Sequence, residues 1–174
     1  MSIEKIKSSL RAIPDFPKKG ILFWDVSTMF KDAESLRALG DELYELYKDK
    51  GITKVVGLES RGFIMGTPLA IRLGAGFVMA RKPGKLPAEV VSETYIKEYG
   101  RDTIEIHTDA ITPDDVVLVH DDLLATGGTM AAAVNLVRKF NPRRIYINFN
   151  IEIEGLDGRD TLPTDIEVTS VIKV

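Results

Sequence analysis

At 174 residues and a formal net charge of −3, the chain is sized for one domain and lacks the basic excess of a duplex nucleic-acid binder. Hydrophobic residues at 44% and charged residues at 28% are ordinary for a globular protein and exclude extensive disorder. With no cysteine and two isolated histidines, His107 and His120, the sequence offers no disulfide, thiol nucleophile, cysteine-held zinc or histidine metal set. In chain order, Ile3, Ile6, Leu10 and Ile13 recur at helical spacing, which predicts a helix over 3–13 stopped by Pro14. A loop then leads to the apolar run Ile21-Leu22-Phe23-Trp24. Asp32 can cap a long helix with Leu36, Leu39, Leu43, Leu46 and Tyr47 on its apolar face, and Gly51 terminates it. A strand is predicted over 54–58, a helix ending near Leu73-Gly74, and a strand over 77–81. The turn Lys82-Pro83-Gly84-Lys85-Leu86-Pro87 is rigid and basic, 89–100 has mixed extended character, and 103–107 alternates as a half-exposed strand does.

The continuous apolar run over 116–119 predicts a strand buried on both faces. A helix follows over 130–140, closed by Asn141-Pro142, and strands are predicted over 144–153 and 166–172. Strands separated by helices make the fold class α/β: a mostly parallel twisted sheet covered on both faces, in one domain over 1–174. No apolar run approaches the roughly 20 residues that span a bilayer, and the first ten residues lack a signal-peptide core, so a soluble, cytoplasmic protein is expected.

In an open parallel sheet, ligands bind beyond the carboxyl ends of the strands. There the sequence delivers His120-Asp121-Asp122, then Ala125-Thr126-Gly127-Gly128-Thr129 opening a helix. A small-residue loop at a helix N-terminus can converge backbone N–H groups on an anion, and the hydroxyls of Thr126 and Thr129 add donors. Asp121 and Asp122 can accept hydrogen bonds from vicinal sugar hydroxyls, so the segment describes a site for a phosphorylated sugar. Neither a Gly-Lys-Ser/Thr P-loop nor a Gly-x-Gly-x-x-Gly after a strand is present.

This stretch resembles the phosphoribosyl-diphosphate signature of the type I phosphoribosyltransferases. Further segments resemble the adenine-specific branch of that family: 16–25, Gly57-Leu58-Glu59-Ser60-Arg61-Gly62-Phe63, 81–87, Ser92-Glu93-Thr94-Tyr95, Glu98-Tyr99-Gly100 and Leu156-Asp157-Gly158-Arg159. The family usually has arginine at Trp24, proline at Lys19 and an apolar residue at His120. The histidine is expected to pack as a structural residue.

The resemblance implies attack of a purine nitrogen on the anomeric carbon of phosphoribosyl diphosphate, giving AMP and pyrophosphate from adenine. It also implies Mg²⁺ held by pyrophosphate, ribose and water with no direct protein ligand, a homodimer, a small hood over the base site at 1–30, and a mobile catalytic loop at about 88–108. Arg61, Arg81, Lys82 and Lys85 are expected on the pyrophosphate, and Ala125 to Thr129 on the 5′-phosphate. Glu98 and Tyr99 are the catalytic candidates, with Glu98 facing the purine imidazole nitrogen. Leu22, Phe23 and Trp24 are expected at adenine, Phe23 stacking on the ring. Trp24 keeps a 6-oxopurine open as the alternative base, and a non-catalytic sensor of phosphoribosyl diphosphate is the reading from a different class.

Overall fold

The computed structural model describes residues 2–97 and 99–174. Helix α1, Ser2–Ser9, buries Ile6 and ends earlier than the isoleucine spacing predicts. The Ser9 hydroxyl turns back onto the Ile6 carbonyl at 2.7 Å, and the chain leaves the helix as strand β1, Arg11–Pro14. That strand pairs antiparallel with β2, Leu22–Asp25, placing Ile13 opposite Phe23. The predicted helix over 3–13 is thus corrected to a short helix and one arm of a hairpin. Arg11 closes the hairpin through Asp25, whose other oxygen takes the Ser27 hydroxyl at 2.6 Å and the Ser27 N–H at 2.9 Å. The Ser27 hydroxyl, then Arg11, lowers the Asp25 carboxyl to about 2.

A five-residue helix absent from the sequence reading, α2 (Ser27–Lys31), precedes α3, Ala33–Tyr47. Asp32 caps α3 as expected, accepting from the Ser35 N–H at 2.9 Å. Leu39, Leu43 and Tyr47 are buried on its inner face, whereas Leu46 is exposed. Strand β3 covers Lys54–Leu58, α4 Gly62–Leu73 and β4 Gly76–Ala80. Strands β5, Val90–Lys97, and β6, Gly100–His107, form a separate antiparallel hairpin. Strand β7 runs over Val116–Leu124, α5 over Gly128–Arg138, β8 over Arg144–Glu152 and β9 over Val168–Lys173, with a 3₁₀ turn at Gly158–Thr161.

The main sheet has the order β4-β3-β7-β8-β9, and every neighbouring pair is parallel. One face is closed by α5 and the β5–β6 hairpin, gathering Val56, Val117, Val119, Ile106, Met130 and Phe149. The other is closed by α1, α3 and α4, gathering Ile6, Leu39, Leu43, Val55, Leu69 and Leu118. From β3 the sheet grows one way and from β7 the other. The crevice between their carboxyl ends is therefore the switch point where open parallel sheets bind ligands. No helix among the described residues is long and apolar enough to cross a membrane.

Candidate active site

Asp121 and Asp122 lie within β7 rather than beyond it, since the strand continues to Leu124. In a regular strand, adjacent side chains point to opposite faces, yet both aspartates border one cleft of about 290 Å³. The alternation inverts here. Val117 and Val119 face the α5 side and Leu118 the α3 side, but past the aspartates Leu124 faces α5 and Leu123 faces α3. The inversion falls where the β7–β8 ladder skips Asp122, between the pairs Asp121–Phe149 and Leu123–Ile151, and it lets both carboxylates reach the same cleft.

Asp122 is 2% exposed, and Nε of Arg61 lies 2.9 Å from its Oδ2. The N–H does not point at that oxygen, so charge joins the two groups without a hydrogen bond. The Asp122 N–H donates to Asp121 Oδ1 at 2.8 Å. Burial, then the charge of Asp122, holds the Asp121 carboxyl well above the usual range. Burial raises Asp122 as well, against the pull of Arg61. A buried acid pair of this kind can offer both an O–H donor and carboxylate acceptors.

Behind the pair, His120 is fully buried. Its Nδ1 meets Asn148 Oδ1 at 2.8 Å, and Asn148 Nδ2 donates to Thr169 Oγ1 at 2.9 Å. Because the amide turns its donor to Thr169, the imidazole must carry its proton on Nδ1, leaving Nε2 a buried acceptor with no partner among the described residues. Burial lowers its pKa to about 4. His120 is packed inside the fold as expected, with Nδ1 engaged and Nε2 left without a partner among the described residues.

The four predicted cations separate. Arg61, at the start of α4, and Lys82 border the cleft. Arg81 is folded onto Glu59, with Nε and an NH₂ nitrogen 3.3 and 3.2 Å from its oxygens, and the Lys82 N–H also donates to Glu59 at 2.8 Å. These bonds, the Lys82 N–H foremost after which burial opposes, keep Glu59 below its ordinary pKa. Lys85 is exposed on the turn and borders none of the three cavities described here. Residues that sequence reasoning left unassigned fill the cleft wall, namely Glu59, Ser60, Tyr95 and Lys97. The signal for the last two was their spacing, since they share one face of β5.

Thr126, Gly128 and Thr129 border a second cavity, of about 450 Å³, together with Tyr95, Lys97 and Tyr99. Gly127 stands at the N-cap of α5 with φ 85°, a left-handed conformation that favours glycine. It is buried beneath the loop, where a Cβ would sit 2.5 Å from the Gly158 carbonyl. The Thr161 hydroxyl donates to the Thr126 carbonyl at 2.8 Å, so the 3₁₀ turn braces the loop from behind. That turn is itself held by Arg159, which forks onto Glu152 with both bonds at 2.7 Å. Tyr99 is exposed; Glu98 lies outside the described residues.

The third cavity, of about 460 Å³, is largely apolar and bordered by Leu22, Phe23 and Trp24. A pleat sends neighbouring side chains to opposite faces, so a cavity bordered by all three takes part of its wall from main chain. Phe23 is steadied by Phe16, edge to face at 5.0 Å between ring centroids. Across from the hairpin stand Leu123, Ala125, Glu154 and Leu156; Ala125 therefore borders this cavity and not the one beside Thr126. Leu156 belongs to a segment whose resemblance was legible although its place was not.

The three cavities share walls. Arg61 borders both the apolar cavity and the acid cleft, while Tyr95, Lys97 and Thr129 border both the cleft and the loop cavity. An apolar slot, an acid pair flanked by cations and a glycine-braced helix start thus form one continuous track across the sheet's switch point. The Phosphoribosyl transferase domain family matches residues 26–167 of this chain. An adenine phosphoribosyltransferase of Phocaeicola vulgatus is 67% identical over 172 residues, covering 99% of both chains. Among solved structures, adenine phosphoribosyltransferase from Rhodothermus marinus superposes with TM-score 0.91 at 47% identity, covering 99% of this chain and 98% of that one. The enzyme from Giardia lamblia, complexed with 9-deazaadenine, gives TM-score 0.93 at 46% identity, covering 100% and 98%. Sharing sequence and fold over nearly its whole length with these enzymes, the chain belongs to the phosphoribosyl transferase family, among the adenine phosphoribosyltransferases.

Proposed function

We propose that the chain transfers the 5-phosphoribosyl group of phosphoribosyl diphosphate to adenine, forming the bond from a purine nitrogen to the anomeric carbon and breaking the bond to pyrophosphate. AMP and pyrophosphate are the products. The observation that carries this reading is the continuous track: the apolar slot suits a purine, the acid pair ribose hydroxyls, and the Thr126–Thr129 loop the 5′-phosphate. The two ends of the track hold the base and the phosphate while the reacting atoms meet between them, beside Arg61.

The anomeric carbon becomes electron-poor as pyrophosphate departs, so the chain has to stabilise a departing anion and hold the base in line. In this reading Arg61 and Lys82 face the leaving group, and Arg81 and Lys85 reach it from the adjoining turn. The bonds from Arg81 and the Lys82 N–H to Glu59 fix that turn against β3. Closure of the β5–β6 hairpin would exclude water from the activated ribose and bring Glu98 and Tyr99 to the base. Among the described residues no group of three His, Asp or Glu gathers as a metal cage. Magnesium would be held chiefly by substrate oxygens and water, where it would neutralise diphosphate charge. A homodimer is part of the proposal, supported by the exposed Ile64 and Ile71 on α4 and Met79 on β4, apolar surface of the kind a second copy covers.

Pyrophosphate release is to be measured with magnesium and phosphoribosyl diphosphate, offering adenine, hypoxanthine, guanine or no base. Release with adenine, matched by AMP, is expected. Release with a 6-oxopurine instead would assign the slot beside Trp24 to that base, and binding without turnover would make the protein a sensor. Phe23→Ala is expected to raise the KM for adenine about tenfold or more, since stacking a base on an aromatic ring is worth about 1–3 kcal/mol. The KM for phosphoribosyl diphosphate should stay within about twofold; equal rises in both would place Phe23 in the hood's own packing and not at the base.

A further inference from the structure

Asp102, near the start of β6, gathers the ammonium groups of Lys82 and Lys97 on one oxygen, Lys97 at 2.5 Å. The Tyr95 hydroxyl reaches the same oxygen at 3.2 Å and bridges it to the Thr129 hydroxyl, also at 3.2 Å. These contacts, that of Lys82 foremost, keep the Asp102 carboxyl deprotonated. Two ammonium groups thus share a single carboxylate, and this wall of the cleft retains a surplus positive charge. Across the cleft the charges are matched one to one: Arg61 faces Asp122, and Glu59 is committed to Arg81 and the Lys82 N–H. The cleft is therefore polarised, with its excess of cations on the hairpin side.

Lys97 is placed to use that polarity. As the last residue of β5, it shares a strand face with Tyr95, and both border the acid cleft, while Ile96 between them does not. Lys97 also borders the cavity beside Thr126 and Gly128. Its side chain remains half-exposed, so the ammonium can leave Asp102 for a stronger anion without unmaking any packed core. Resting on the transfer reaction proposed above, we propose that Lys97 is a diphosphate-binding cation carried by the β5–β6 hairpin, with Asp102 as the placeholder that parks it beside Lys82 until substrate arrives. A diphosphate offers several charged oxygens where Asp102 offers one, and a lysine acts on it as a flexible point charge.

The test is magnesium pyrophosphate binding by calorimetry, alongside steady-state kinetics, for wild type, Lys97→Leu and Lys97→Arg. Lys97→Leu should weaken pyrophosphate binding and raise the KM for phosphoribosyl diphosphate about tenfold, with the KM for adenine within about twofold. The rise should shrink as salt screens the charge. Lys97→Arg should recover most of the loss, which restoring hairpin packing alone would not explain. Wild-type affinity for pyrophosphate in Lys97→Leu overturns the role of Lys97 and leaves the transfer reaction standing. A wild-type protein that binds no pyrophosphate and turns over no base overturns both.

Discussion

Gly127→Ala is expected to lower kcat/KM for phosphoribosyl diphosphate by about two orders of magnitude or more, since displacement of a positioning group by about 1 Å can cost 10²-fold. Two demands meet at this residue. Its φ of 85° is a conformation that costs an alanine about 1–2 kcal/mol. The added Cβ would also lie 2.5 Å from the Gly158 carbonyl, a backbone atom with no rotamer to give. Gly158 has no room to take a side chain of its own, because it is buried and a Cβ built on it would lie 2.3 Å from the Ala125 carbonyl. Behind it, Arg159 is locked onto Glu152 and onto the Val168 carbonyl at 3.0 Å. The strain therefore falls on the loop from Ala125 to Thr129, whose N–H groups converge on the 5′-phosphate in the proposed reaction. The fold should survive, because β7 and α5 stand on their own apolar contacts, so circular dichroism and a thermal melt should show a folded chain beside the lost activity. If kcat/KM stays within threefold, the loop is not held to the geometry described.

The same loop shows which parts of this protein can be read from its residues. Strand β3 falls at 54–58 as expected because Val55 and Val56 form a short apolar run ended by polar Glu59. The cap at Asp32 and the glycine at the end of α4 follow from local chemistry that needs no tertiary contact. The acid pair and glycine loop were legible as chemistry because carboxylate acceptors followed by a small-residue loop at a helix start are the residue types a phosphorylated sugar calls for. Their placement was less legible. Two aspartates interrupt the apolar pattern, so β7 reads as ending at Val119, whereas pairing with β8 carries it on to Leu124.

Tertiary contacts decide the remainder. The isoleucine spacing over 3–13 fits a helix, but pairing with Leu22–Asp25 claims Arg11–Pro14 for a hairpin. Lys97 is an ordinary charge in a mixed segment until the β5–β6 register sets it beside Asp102 and Lys82. Arg81 reads like Arg61, each following a short strand, yet the Glu59 side chain captures one and Asp122 faces the other. Glu154 and Leu156 reach the apolar slot only through the fold of the loop after β8.

Folding stability is expected to carry a step of about 3 kcal/mol between pH 6.5 and about 4 that belongs to His120 alone, the energy that corresponds to the difference between those two values. Protonating the buried ring would give Nε2 an N–H with no acceptor among the described residues, which is why the folded chain resists it. The unfolded chain binds that proton at pH 6.5 and the folded chain only near 4, so stability rises with pH across this window. Acidification through it favours unfolding. Asp121 and Asp122, raised in the fold, act in the opposite sense, so the wild-type curve alone does not isolate the histidine. Its difference from His120→Val does. Valine leaves Asn148 Oδ1 without its donor, a loss of about 1–3 kcal/mol that is constant with pH. Denaturant midpoints taken every half pH unit should therefore show two curves offset at pH 7 and converging or crossing toward pH 4. Parallel curves would mean that the ring titrates freely in the fold. That result would also undo a point about the site. A neutral His120 adds no positive charge beside Asp121, so burial and the charge of Asp122 are left to raise that carboxyl above its usual range.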